Sequence, residues 1–201
     1  MAATRRARTG TRPRLPDARA RMITGAIDSL RVHGASATSI DRVLAATGAP
    51  RGSVYHHFPG GRTELLGRAL DAAGATMSEY IEHLTRTHDP MTALEQFAAL
   101  WRHTLCESDF RAGCPVFAIA VETNDDAPEL AGTAAEIFAR WHRALTEQLL
   151  RHDYPPARAT RLASLTVAAI EGAIVLCRIH RETTPLEDTV TELRVLYTGG
   201  Q

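Results

Sequence analysis

Lysine is absent from this 201-residue chain, and all 23 of its basic side chains are arginine. On its own that absence carries little functional weight. Cysteine is scarce: Cys106, Cys114 and Cys177 form no metal-ligand spacing, and their odd number argues against a disulfide framework. The nine histidines are scattered. His83/His88 and His142/His152 fall at spacings that do not stack on one helical face, so neither a metal site nor a cofactor is expected. Residues 1–16 are basic and hold Pro13 and Pro16, yet no apolar stretch follows, so they do not read as a signal peptide. No run is expected to reach membrane-spanning length, and a cytoplasmic protein without a membrane partner is the expectation. Also missing are a nucleophile beside a base and a phosphate-binding glycine loop, and the paired carboxylates Asp125-Asp126 are expected to face solvent. An enzyme is therefore not expected.

Apolar residues make up 44% of the chain, enough to bury a core. The formal net charge of zero hides an asymmetry. Met1 to Arg68 carries 12 Arg against four acids, a net +8, and the remainder carries 11 Arg against 19 acids, a net −8. A basic segment joined to an acidic one is expected to meet a polyanion with its first part only.

The periodicity is helical almost throughout, and no segment alternates like a strand for long. Residues 1–16, rich in Arg, Thr, Gly and Pro, are expected to be a disordered basic tail. Asp17 caps a helix with Met22, Ile23, Ala26, Ile27 and Leu30 on one stripe, stopped at His33-Gly34. Thr38 or Ser39 caps a short second helix that ends at Gly48. Pro50 opens a third, which Pro59-Gly60-Gly61 cuts short. Long helices follow over about 63–86, 91–107, 128–152 and 157–181, with a short one over 114–122 and a last one from Thr184-Pro185 to about Tyr197. The fold class is all-α, with about nine helices: a three-helix head over 17–62, then a helical body over 63–201.

The stretch Thr38 to Phe58 has the anatomy of a helix-turn-helix, in which a capped helix, a glycine turn and a second helix let the latter lie in the major groove. Gly52 and Ser53 permit close approach to base edges, Arg51 can donate two hydrogen bonds to guanine, and His56 can reach a base or a phosphate. Tyr55, His57, Arg62, Thr38 and Ser39 are candidate phosphate anchors, and Phe58 is expected in the core.

These residues resemble the DNA-binding segment of the TetR family. The shared elements are Thr38-Ser39-Ile40, Thr47-Gly48-Ala49-Pro50-Arg51-Gly52, Val54-Tyr55-His56-His57-Phe58 and Arg62. Pro50 stands where the family usually has Ser, Arg51 and Arg62 where it has Lys, and Val54 where it has Leu. The remainder is similar to the LmrA/YxaF-type branch, through Pro59-Gly60-Gly61-Arg62, Phe110 to Val116, and Glu171-Gly172-Ala173. The resemblance implies a homodimer joined through the last two helices, binding a palindromic operator in double-stranded DNA. It also implies a pocket inside helices four to eight for a small, largely apolar effector of unknown identity that releases the operator. Repression is the family's habit; the residues leave open an activator, or a DNA-binding regulator with no effector.

Trp101, Phe110, Phe117, Phe138 and Trp141 are candidates to line that pocket, with plain core as the competing role. Glu171 stands in an apolar run where an unpaired carboxylate is costly, so it is expected to orient a ligand, pair with an arginine or face a dimer interface. Cys114, between Gly113 and Pro115, is either a buried thiol or a redox sensor, and its place at a helix start is expected to lower its pKa.

Overall fold

The computed structural model describes residues 17–122 and 127–199. The expected basic tail over 1–16 and the Asp125-Asp126 pair lie outside them. Among the described residues the chain is all-α, with nine helices in the order α1 (Ala18–His33), α2 (Ile40–Thr47), α3 (Arg51–His57), α4 (Gly61–Thr87), α5 (Pro90–Glu107), α6 (Pro115–Glu122), α7 (Pro128–Arg151), α8 (Pro156–His180) and α9 (Thr184–Thr198).

Local chemistry sets these limits. Asp17 accepts from the Arg19 N–H at 2.9 Å and Ser39 from the Arg42 N–H at 3.2 Å, each satisfying a donor that a helix start leaves free. Asp89 accepts from the N–H groups of Met91 and Thr92, both at 3.0 Å. Prolines open α5, α6, α7 and α8, where their fixed φ costs nothing and their missing donor is not needed. Gly48 closes α2 in the left-handed region (φ 64°) and returns its N–H to Leu44 at 2.9 Å, which turns the chain into α3.

One continuous core runs from Met22, Leu30, Val54 and Phe58 in α1–α3 through Leu66 and Leu70 of α4 to Trp141 of α7 and Ile174 of α8. A smaller cluster of Leu149, Tyr154, Ala159, Leu162 and Tyr197 ties the end of α7 to α8 and α9. The α4–α7 seam is close: a Cβ on Gly74 would stand 2.3 Å from Ile137 Cδ1. Across it Trp141 Nε1 donates to Ser78 Oγ at 2.9 Å, and Arg140 pairs with Glu82.

One expectation needs correcting. By length and composition alone, α8 is long and apolar enough to cross a membrane. Its hydrophobicity has another outlet, since Leu162, Ala163, Ile170, Ala173, Ile174 and Cys177 are buried against the rest of the fold. Its opposite side carries Leu165, Ala168, Gly172, Leu176 and Ile179 in one exposed stripe, continued on α9 by exposed Val195 and Leu196.

Candidate functional site

The short α3 stands on a rigid base. Val54 and Phe58 are fully buried, and the Arg19 guanidinium lies over the Phe58 ring at 5.6 Å. With that face fixed, the rest of α3 points outward. Tyr55 is 65% exposed, Arg51 and His56 are exposed, and His57 and Ser53 are half-buried. A Cβ placed on Gly52 would meet nothing within 4 Å. No packing among the described residues therefore demands glycine there. Arg51 Nη2 donates to Asp41 on α2 at 2.7 Å. The pair is exposed, so it aims the guanidinium yet is weak enough to be exchanged for another acceptor. Ser53 returns its hydroxyl to the Pro50 carbonyl at 2.6 Å. Ser39 is exposed at the start of α2.

Two residues expected on phosphate are turned inward. Thr38 is 1% exposed; its hydroxyl donates to Gly34 O at 2.7 Å and meets Ser29 Oγ at 2.9 Å. A side chain so committed has no surface to offer a phosphate. Arg62 donates from Nε to Thr38 O at 2.8 Å and from Nη2 to Ala35 O. Its charge binds the start of α4 to the α1–α2 turn, satisfying carbonyls left over at that turn. Both residues position α2 and α3 from behind.

That turn is also held from the body. Glu122 at the end of α6 accepts from the Ser36 N–H and the Ser36 hydroxyl, both at 2.8 Å. Burial works to raise the Glu122 pKa, but the Ser36 amide and hydroxyl outweigh it and lower it, helped by the Ala35 amide and the Arg62 charge. Gly34 (φ 83°) is required here, because a Cβ would fall 2.3 Å from Glu122 Oε1. Just before α6, the Gly113 N–H donates to Arg31 O at 2.7 Å. The short α6 thus touches α1 or its following turn near both ends. These contacts join residues far apart in sequence, and periodicity gave no sign of them.

An apolar cavity opens among α4, α5, α7, α8 and α9. Its volume is about 50 Å³. Its walls include Leu94, Phe97, Trp141, Ile170, Glu171 and Tyr197. Of the sequence candidates, Trp141 and Glu171 line it. Trp101 does not, being buried in the core, and Phe138 packs edge-on behind Trp141 at 4.9 Å. Phe117 faces a separate crevice beside α1, and Phe110 lies in the α5–α6 connection. Phe97 and Tyr197 were missed because an aromatic on a helical stripe looks the same whether its neighbour is a side chain or a void.

Glu171 is 8% exposed, and burial raises its pKa to about 7, opposed in part by a hydrogen bond from Cys114. The expectation of a lowered Cys114 pKa is reversed. Burial pushes the thiol well up and the Glu171 charge adds to the shift, outweighing the hydrogen bond that Sγ accepts from the Phe117 N–H at 3.4 Å. Among the described residues no group of His, Cys, Asp and Glu is arranged to hold a metal ion.

Comparison with known proteins agrees with this geometry. Residues 22–69 match the model of the bacterial regulatory proteins, tetR family. Residues 90–192 match that of the LmrA/YxaF-like transcriptional regulator C-terminal domain. The chain is 41% identical over 184 residues to an HTH-type transcriptional regulator of Mycobacterium tuberculosis (strain CDC 1551 / Oshkosh), covering 89% of this chain and 93% of that one. It is 29% identical over 176 residues to the HTH-type transcriptional regulator LmrA of Bacillus subtilis (strain 168), covering 85% and 91%. A TetR transcriptional regulator from Legionella pneumophila has the same fold, with a TM-score of 0.83 at 16% identity over 90% of this chain and 98% of that one.

Proposed function

The chain belongs to the TetR family of bacterial transcriptional regulators, in its LmrA/YxaF-like branch, and from that premise we propose that it is a cytoplasmic repressor. It binds a palindromic operator as a homodimer and leaves it when a small, largely apolar effector enters the cavity. The observation that carries this reading is the outward face of α3, where Gly52 has open space and Arg51, Tyr55 and His56 are exposed above a fully buried Val54 and Phe58.

In this reading Arg51, Gly52, Ser53 and His56 meet base edges in the major groove. Tyr55, His57 and Ser39 hold the phosphates on either side, and Pro50 presets the turn that delivers α3. Residues 17–62 form the reading head and 63–201 the effector-binding and dimerisation part. The exposed stripe of Leu165, Ala168, Gly172, Leu176 and Ile179 on α8, with Val195 and Leu196 on α9, supports pairing with a second copy. Its three-and-four spacing is that of a helix seam, and Ala168 and Gly172 allow two α8 helices to approach closely. A dimer clamped on a promoter blocks it, and α6, packed on the α4 and α7 that wall the cavity, passes the effector's signal to the head through the Glu122–Ser36 contact.

Footprinting on the DNA upstream of the protein's own gene tests the reading. A protected, two-fold symmetric site bound by two chains is expected. A footprint without symmetry, or none on any upstream region, contradicts it.

A further inference from the structure

The cavity wall has an uneven supply of hydrogen-bonding groups. Each neutral donor lining it is already spent within the protein. The Trp141 indole N–H goes to Ser78, and the Thr85 hydroxyl to Glu82 O at 3.2 Å. The Thr166 hydroxyl goes to Leu162 O at 2.8 Å, so at the 2.8 Å contact between Thr166 and Tyr197 the Tyr197 hydroxyl is the donor. What remains is an acceptor. Glu171 lines the same cavity, and its interacting partner is the Cys114 thiol. An ionised carboxylate has about four lone-pair positions, so most of its accepting capacity is open. Among the described residues no guanidinium is paired with it: Arg178, two turns along α8, reaches instead toward Val32 O.

An apolar recess whose spare polar group is an uncompensated carboxyl disfavours ligands that need a donor from the wall, and favours one that brings a donor and a positive charge. We propose that the effector is a largely apolar molecule bearing one protonated amine, and that Glu171 is the residue that takes the amine. The inference rests on the effector-gated reading above and names the chemical class of that effector. It also assigns a first step to the response. Glu171 drawn to an amine withdraws from Cys114 at the threshold of α6, whose other end holds Ser36.

Calorimetric titration of the full-length protein with three probes of one shape, phenylbutylamine, phenylbutanol and phenylbutanoate, tests this. The amine is expected to bind roughly tenfold or more tighter than the alcohol, as a charge-assisted hydrogen bond gives, and the carboxylate weakest. Glu171→Gln should remove the amine's advantage while leaving the alcohol's affinity unchanged. A second readout needs no variant. Near pH 7, titration in two buffers of different ionisation enthalpy should show protons released on binding the amine and none on binding the alcohol, because the amine ionises Glu171. The other titratable groups around Glu171 are Cys114 just before α6, Tyr197 of α9, and Arg31, His33, Glu122 and Arg178 in the crevice behind it. Cys114 and Tyr197 have raised pKa values and stay neutral there.

Equal affinity for amine and alcohol, a preference that survives Glu171→Gln, amine binding without proton release, or no binding of any probe overturns the proposal. Operator binding by the same preparation separates the two readings. If the operator is bound but the amine is not preferred, the effector class alone is wrong.

Discussion

Glu122 holds Ser36 by two hydrogen bonds of 2.8 Å, one from its backbone and one from its hydroxyl, across 86 residues of sequence. The contact fits because Gly34, two residues earlier, has no Cβ to occupy the space of the carboxylate. It ties the end of α6, which packs on α4 and α7, to the turn that leads into the helix-turn-helix.

Gly34→Ala is therefore expected to fail twice. The new side chain must adopt a positive φ and must also displace Glu122, a loss on the order of 1–3 kcal/mol by thermal or denaturant melting. Ser36→Ala keeps the backbone donor and is expected to cost less than about 1 kcal/mol. Equal losses from the two would show that Glu122 does not sit where Gly34 requires it.

Arg51 and Arg62 are expected to separate by kind of defect. Arg51 is exposed and, among the described residues, paired with Asp41, so Arg51→Ala should relax base preference at one position by about 1–3 kcal/mol of discrimination and leave the melting temperature unchanged. Arg62 spans the carbonyls of Ala35 and Thr38. Arg62→Ala should lower the melting temperature and weaken binding to all sequences alike. A selection experiment on randomised sites reads the first effect, and a melt reads the second.

Glu171 gives the fold a pH dependence of the less usual sign for a carboxyl. Its folded pKa of about 7 lies above the ordinary carboxylate value of 4.5, so the folded state binds the extra proton between them. Stability from this group is full below the lower value and is lost as pH rises through about 7, by on the order of 3 kcal/mol in all. Glu171→Gln, neutral throughout, should gain on the native protein as pH rises from acid to mildly alkaline. A difference in melting temperature independent of pH would show that the carboxyl is solvated.

The cysteines should differ in reactivity. Cys106 is exposed, while Cys114 and Cys177 are buried with raised pKa values. A thiolate-directed alkylating reagent is expected to label Cys106 alone in the native protein and all three after unfolding. Rapid native labelling of Cys114 would restore it as a redox candidate.

Most helix limits were legible because they are local. Asp17, Ser39, Gly34, Gly48 and the helix-opening prolines act within a few residues of where they stand. The exposed face of α3 was legible for the same reason, as its polar residues alternate with Val54 and Phe58 at helical spacing. Thr38 and Arg62 were misplaced because their partners, Ser29, Ala35 and the Gly34 carbonyl, depend on how α1 and α4 close around the turn. The cavity was the least legible part. Trp101 and Trp141 sit on equally apolar stripes, and only packing decides that one is core and the other faces a space. Cys114 shows the same limit, since the helix start favours a thiolate and burial beside Glu171 overrides it.

The most direct test of the reading face of α3 is a fluorescence-anisotropy titration of the palindromic upstream site over a range of salt. Binding by two chains is expected, with affinity falling linearly in log–log form at a slope of about −0.9 per phosphate contact, and with Arg51→Ala changing sequence preference without changing the dimer. Salt-independent binding, or no binding to any double-stranded site, would contradict it.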